Sequence, residues 1–206
     1  NFDDLDWQIK EAEKREADII LAVGMKTPRW PECHAPGWVK NKETNVRSQK
    51  LLDYVKTIVE KYKSSPAISI WQVENEAFFT FGDCPKPDKN LLKEEINIVK
   101  KSSQNGQKVL ISDSGEGSFW IRSARLGDIV GISMYRKVWF GEWKRYVKYP
   151  LPPIFYQRKA WLIKKLFGKD VICTELQAEP WASKNLQDLS EAEAGETMDL
   201  KKFKES

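Results

Sequence analysis

The sequence predicts an α/β protein, and within that class a (β/α)8 TIM barrel that is incomplete. Three observations point there. Short β-branched runs alternate with amphipathic helical segments, and strands joined through helices run parallel. The segments after the strands are long and carry Trp, Glu, Tyr and Arg, whereas those before them are short turns such as Ser64-Ser65-Pro66 and Asn105-Gly106. Side-chain chemistry gathered at the C-terminal ends of many strands is how such barrels place their sites. Finally, no GxGxxG or GxxxxGKS/T motif follows any strand, which argues against a nucleotide-binding open sheet.

The elements follow in order. Residues 2–15 have helical periodicity through Leu5, Ile9 and Ala12. An apolar run at 18–24, Ile19-Ile20-Leu21-Ala22-Val23 stopped by Gly24, is too short for a helix and reads as the first strand. A loop rich in Pro, Trp and Gly fills 25–44. Residues 46–63 are helical, with Leu51, Leu52, Val55, Ile58, Val59 and Tyr62 on one face. The second strand is expected at 67–73, a loop at 78–86 and a helix at 90–103. Asn105-Gly106 turns the chain into a third strand at 108–112, before a Gly-rich loop at 113–118 and a short helix at 120–125. A fourth strand at 128–134 leads into an aromatic loop reaching Pro153. A helix at 155–167, capped by Gly168, precedes a fifth strand at 170–174. From Gln177 the chain is polar, and 188–206 reads as loop with a weak helix.

Residues 1–206 are thus expected to form one catalytic barrel domain. A whole barrel needs eight strands, and five are readable, so the sequence looks like part of a barrel whose true N-terminus is missing.

Composition narrows the chemistry. Basic and acidic residues number 34 and 30, giving a net charge of +4, and the lysines mostly sit in helical stretches, such as 56–63 and 159–169, mixed with apolar positions. That describes solvated helix faces, and no nucleic-acid partner is expected. Nine Trp and six Tyr exceed what a core of this size needs, and surplus amphipathic rings suit a surface that stacks on ligand. No apolar run approaches a membrane span. Cys33, Cys84 and Cys173 are an odd number at wide spacing without a CxxC pair, so reduced cysteines are expected, with a lean towards a reducing, cytoplasmic setting. With His34 as the single histidine, no three-His metal site can be built, and a Ser-His-Asp triad would have to use this one residue. No metal and no cofactor are expected, and oligomeric state is not legible.

Two carboxylates stand at strand ends. The second strand runs into Trp71-Gln72-Val73-Glu74-Asn75-Glu76, where period-two alternation would send Glu74 and Glu76 to one side and Asn75 to the other. The fifth ends Val171-Ile172-Cys173-Thr174-Glu175. Three strands apart in an eight-stranded barrel is about 135°, nearly across the mouth. Two carboxylates facing over an open pocket can hydrolyse a glycoside, one protonating the leaving oxygen while the other attacks or activates water. Glu74 remains an alternative acid, or an ion-pair partner of Lys26 or Arg29. Glu179 competes with Glu175, which is nearer the rigid strand. Glu116 reads as a loop or subsite residue.

These segments resemble glycoside hydrolase clan A, the 4/7 superfamily, in the manner of a family 5-like retaining β-glycosidase. Trp71 to Glu76 is similar to the WxxxNE end of that clan's strand four, residues 171–175 to its strand-seven segment, and Ile132-Ser133-Met134-Tyr135 to its strand-six end. The resemblance makes the five strands numbers three to seven, with one, two and eight absent. It implies Glu76 as acid/base, Asn75 on the sugar 2-hydroxyl, Glu175 as nucleophile and Tyr135 orienting it. Where members of the clan often read NEP, Ala77 stands here, which bears on loop geometry.

The loop after the first strand, Thr27-Pro28-Arg29-Trp30-Pro31-Glu32-Cys33-His34-Ala35-Pro36-Gly37-Trp38, is stiffened by proline. Arg29, Glu32 and His34 can bond sugar hydroxyls, and Trp30 or Trp38 can stack on a pyranose. Trp120, Trp139, Trp143 and Trp181 are further subsite candidates, with Trp181 preferred; each could equally pack against its own loop. The expected partner is a carbohydrate. Three alternatives stay open: a barrel that binds carbohydrate without cleaving it, a lyase or aldolase using Lys26 as the strand-end lysine, and a basic interaction protein.

Overall fold

The fold is described from a computed structural model, for residues 2–177 apart from 29–31, 81, 105, 136 and 141–144. Among these residues, seven strands and six helices follow one another as α1 (Asp3–Lys14), β1 (Ile19–Val23), α2 (Gly37–Lys40), α3 (Thr44–Tyr62), β2 (Ile68–Val73), α4 (Lys89–Ser102), β3 (Lys108–Ser114), α5 (Ile121–Leu126), β4 (Ile129–Met134), β5 (Lys137–Phe140), β6 (Arg145–Lys148), α6 (Pro153–Phe167) and β7 (Asp170–Leu176). Five strands make one all-parallel sheet in the order β1-β2-β3-β4-β7. This is an incomplete (β/α)8 barrel, with β1 and β7 at its two edges.

The helix ends have local causes. Asp88 caps α4, its carboxylate accepting from the N–H groups of Asn90 and Leu91 at 2.8 and 3.3 Å. Pro153 opens α6, where a missing N–H costs nothing. Gly168 ends α6 at φ 67°, and its N–H bonds the Lys164 carbonyl.

Alternation along the strands separates two layers. Towards the helices, Val23, Trp71, Val73, Val109 and Ile111 pack on Ile9 of α1, Val55, Ile58 and Val59 of α3, and Leu92, Ile96 and Val99 of α4. A second cluster joins Val130 and Ile132 of β4 to Ala124 of α5 and Tyr156 and Ile163 of α6. The other face of the sheet carries small and polar residues, including Gln72, Ser112 and Ser133. Gly131 lies in this layer, where a Cβ would come 2.7 Å from Leu110 Cδ2 and 3.1 Å from Thr174 Cγ2.

The structure departs from expectation in four places. The segment read as an aromatic loop contains an antiparallel hairpin, β5 with β6, whose strands are four residues each and too short to stand out from the surrounding aromatics. A four-residue helix, α2, interrupts the long loop after β1.

The third departure is chemical. Cys33 and Cys84 form a disulfide, not a pair of reduced thiols, and Cys173 is free. Their separation of 51 residues hid the pairing. Val23 pairs with Val73, so the loops leaving β1 and β2 emerge side by side and bring the two cysteines to a Cα–Cα distance of 5.2 Å.

The fourth is a change of register. Ile132 pairs with Cys173, but Ser133 pairs with Glu175, leaving Thr174 as an extra residue on β7. Straight alternation would send Glu175 to the helix side with Val171. The bulge turns it to the inner side, beside Ser133. Among the described residues, no helix is long and apolar enough to cross a membrane.

Closing a loop of 51 residues by the disulfide restricts the unfolded chain by about 4 kcal/mol in the entropic limit. A Cys33→Ser/Cys84→Ser variant is expected to unfold about 2–4 kcal/mol less stably in urea than the oxidised protein. A reductant should lower the oxidised protein to that level and leave the variant unmoved.

Candidate functional site

The site begins where β2 stops being regular. Glu74 has φ 57° and Glu76 φ 42°, left-handed values that side chains other than glycine avoid. Alternation therefore fails at this point, and Glu74 and Glu76 do not share a side. Glu74 turns to the backbone of the β1 loop, accepting from Met25 N and Lys26 N at 2.7 Å each, and bonds Glu95 of α4. Of the two ion-pair partners open to it, Lys26 attracts it by charge, and Arg29 lies outside the described residues. Glu76 turns the other way, towards β4.

Asn75, between them, is fixed on all sides. Its Oδ1 accepts from Gln72 Nε2 at 3.1 Å and from Ser112 Oγ at 3.2 Å, and its Nδ2 donates to Glu32 Oε2 at 3.3 Å. The backbone is held as well: Asn75 N–H bonds Lys26 O at 2.8 Å, and Glu76 N–H bonds Ser112 Oγ at 2.8 Å. Glu32 sits at φ 73° and is buried, and burial raises its proton affinity.

Across the mouth, Tyr135 donates its hydroxyl proton to Glu175 Oε2 at 2.9 Å. Glu116 holds Tyr135 in turn, accepting from its N–H at 3.0 Å and from Tyr156 Oη at 2.6 Å. Glu116 is thus a loop residue that supports Tyr135. The second oxygen of Glu175 is buried and meets no hydrogen-bond donor among the described residues.

Ser133 relates to both carboxylates, one through its side chain and one through the sheet. Its Oγ donates to Glu76 Oε1 at 2.5 Å, and its Cα is the register partner of Glu175. Gly115 keeps the β3 loop pressed on this point, since a Cβ there would lie 1.8 Å from the Ser133 carbonyl oxygen. Burial is the first cause that pushes Glu76 up, and the charges of Glu175 and Glu32 add to it. The Ser133 hydroxyl and the Lys26 ammonium act against them, leaving Glu76 at about 7. A carboxyl group so placed keeps its proton at pH values where ordinary glutamates have lost theirs.

Lys26 brings a cation into this group of carboxylates. Burial lowers its proton affinity, opposed by Glu76, Glu32, Glu74 and Glu175. Its Nζ donates to the carbonyls of Phe79 at 2.8 Å and Glu76 at 3.3 Å.

The remaining expected residues divide. His34 is exposed; its N–H bonds Met25 O at 3.0 Å and its charge acts on Glu32. Trp38 is exposed on α2. Arg29, Trp30, Trp143, Glu179 and Trp181 lie outside the described residues, as does the side chain of Trp139. Trp120 is not a subsite residue: it is fully buried in the second core cluster, with its indole N–H on Ser114 O at 2.9 Å. Among the described residues, no group of three or more His, Cys, Asp or Glu side chains could hold a metal ion.

Residues missed at the sequence level are Ser133, Ser112 and Gln72. Their signal was available, because a polar side chain on the inner face of an otherwise apolar strand needs a partner.

The amino-acid sequence matches no protein-family model and no curated protein. Solved structures do match it. A glycosylated endo-β-1,4-xylanase of glycoside hydrolase family 10 from Gloeophyllum trabeum superposes with a TM-score of 0.61 at 20% identity, covering 94% of this chain and 59% of that one. By fold, this chain is a partial (β/α)8 barrel. Xylanase 10B from Thermotoga maritima gives 0.60 at 18% identity, over 85% of this chain and 55% of that one. A β-galactosidase from the psychrophilic Marinomonas ef1 gives 0.61 at 11% identity, over 94% and 43%. The chain therefore spans about half the length of these solved enzymes.

Removing the Ser133 hydroxyl takes away a bond to the ionised form of Glu76. Ser133→Ala is expected to raise the Glu76 midpoint from about 7. Carbon-13 NMR of the side-chain carboxyl across a pH series reads that midpoint, and a fall would contradict the geometry.

Proposed function

We propose that the chain carries the catalytic centre of a retaining β-glycosidase acting on oligo- or polysaccharides. Glu76 serves as acid/base and Glu175 as nucleophile. The observation that carries this reading is the pair of carboxyl groups brought to the C-terminal ends of β2 and β7. Glu76, just past β2, accepts from Ser133 and is held at about 7, while Glu175 of β7, the register partner of Ser133, acts on it by charge and is oriented by Tyr135.

In this reading a glycoside enters between them. Glu175 attacks the anomeric carbon while Glu76 gives its proton to the departing oxygen, so the glycosidic bond breaks as a glycosyl ester forms. Glu76, now ionised and without its proton, takes one from water, and the water oxygen displaces Glu175. The pinned amide of Asn75 supplies a donor for the sugar 2-hydroxyl, displacing its bond to Glu32. Arg29, Trp30, Glu32, His34 and Trp181 are proposed as further sugar contacts. The fold neighbours include xylanases and a β-galactosidase, so the fold supports glycosidic chemistry without selecting one sugar.

A second reading is a barrel that binds carbohydrate without turnover. The sheet being open at β1 and β7 among the described residues favours it. A sugar-induced rise in melting temperature with no release from any aryl β-glycoside would select this alternative. The Cys33–Cys84 disulfide supports an oxidising compartment.

Activity on aryl β-glycosides should fall as pH rises through about 7, because the acid form of Glu76 is the one that works. Glu76→Gln should remove that limb and lower kcat about a hundredfold or more for poor leaving groups. Glu175→Ala should lose at least about a thousandfold, with azide restoring turnover to a glycosyl azide of inverted configuration. Full activity in the Glu175 variant would sink the assignment.

A further inference from the structure

Behind the site lies a buried acidic pair that the chemistry above does not use. Glu95, on α4, is 2% exposed, and its Oε1 meets no donor among the described residues. It sits on α4 among the buried Leu92, Ile96 and Val99, and among the described residues the ionisable group acting on it is Glu74. Glu74 is buried too, and it accepts from the Met25 and Lys26 amides at 2.7 Å each, bonds that suit an ionised carboxylate. Two buried carboxyls in contact hold one proton between them. Burial raises Glu74 as well, but its bonds from Glu95, Met25 and Lys26 favour its ionised form, so the shared proton is assigned to Glu95, which is pushed up to about 10, first by burial and then by Glu74.

The backbone is shaped around this arrangement. Gly24 has φ 127°, and a Cβ on it would stand 2.4 Å from Glu74 Oε1, so the carboxylate fills space that a side chain would otherwise occupy. Glu74 itself is in the left-handed region. The segment it grips ends in Lys26, whose Nζ reaches the carbonyls of Glu76 and Phe79.

We propose that Glu74 and Glu95 are a positioning pair: Glu95, as the acid, donates to Glu74, and the Glu74 carboxylate clamps the Met25 and Lys26 amides so that the Lys26 ammonium stands against Glu76. The pair touches no substrate. It acts through Lys26, one of the groups that stabilise the ionised form of Glu76; the others facing Glu76 are Ser133, Glu175 and Glu32. Its bearing on catalysis rests on the glycosidase reading, but its geometry does not.

Carbon-13 NMR of glutamate side chains tests the pair without requiring turnover. In the wild-type chain, Glu95 should stay protonated at pH 8 while Glu76 titrates near 7. Glu95→Leu and Glu74→Gln should each loosen Lys26 and raise the Glu76 midpoint by about half a unit or more. Glu95→Gln keeps an N–H donor for Glu74 and should leave that midpoint within about 0.2 of wild type. Lys26→Met should raise it as well, and adding Glu95→Leu to Lys26→Met should change nothing further. An ionised Glu95 at pH 7 in the wild-type chain overturns the proposal, which keeps it decidable even if Glu95→Leu fails to fold. So does an unmoved Glu76 in folded Glu95→Leu and Glu74→Gln, or equal shifts in Glu95→Gln and Glu95→Leu. Absence of glycoside turnover with the expected midpoints would instead remove the catalytic reading and leave the pair standing.

Discussion

A β-strand sends successive side chains to opposite faces, and that constraint governs everything at the mouth of this sheet. Under strict alternation, Glu175 would face the helices with Val171, and Glu74 would share the interior with Glu76. Neither holds. The extra residue Thr174 on β7 turns Glu175 inward beside Ser133, and left-handed backbone at Glu74 turns that carboxylate away. The two interruptions sort three acidic groups into an inward pair and one supporting group behind. Strained backbone at such positions persists because surrounding bonds over-determine it, here the amides of Met25 and Lys26 and the hydroxyl of Ser112.

The electrostatics follow from that sorting. A carboxyl taken from water favours its neutral form, and a neighbouring anion increases the preference. Glu76 experiences both, tempered by one hydroxyl and one ammonium, and ends near neutrality. Glu95 lacks any such relief: it faces Glu74 within an apolar layer and rises much further. The difference between the two lies in their hydrogen-bond partners, since both are buried. A serine on the inner face of β4 thereby opposes the effect of burial on Glu76.

Much of the fold was legible because its signals are local. The five strands of the sheet and the longer helices follow from β-branched runs, helical periodicity, Gly168 and Pro153, each acting over a few residues. Glu76 and Glu175 could be singled out because each falls at a strand end, whereas Asn75 and Tyr135 came from the resemblance of those segments to a known family. What escaped depends on relations between strands. The disulfide needed the adjacency of β1 and β2, and the serines needed a facing strand to give them meaning. The bulge needed the pairing of β4 with β7. Trp120 misled for the opposite reason: a tryptophan after a strand looks the same in sequence whether it stacks on ligand or fills the core, as it does here against Ala124 and Tyr156.

The Cys33–Cys84 link joins the loop bearing Glu32 to the loop that follows Asn75 and Glu76. Between the two cysteines run α2, α3 and β2, so a backbone break anywhere in that stretch leaves both pieces covalently attached. Glu32 and Asn75 would then remain tethered near one another through sulfur even after the peptide connection was severed. A nicked chain would migrate as one species until reduced, with the first two parallel strands kept as neighbours by a bond that does not depend on continuous polypeptide.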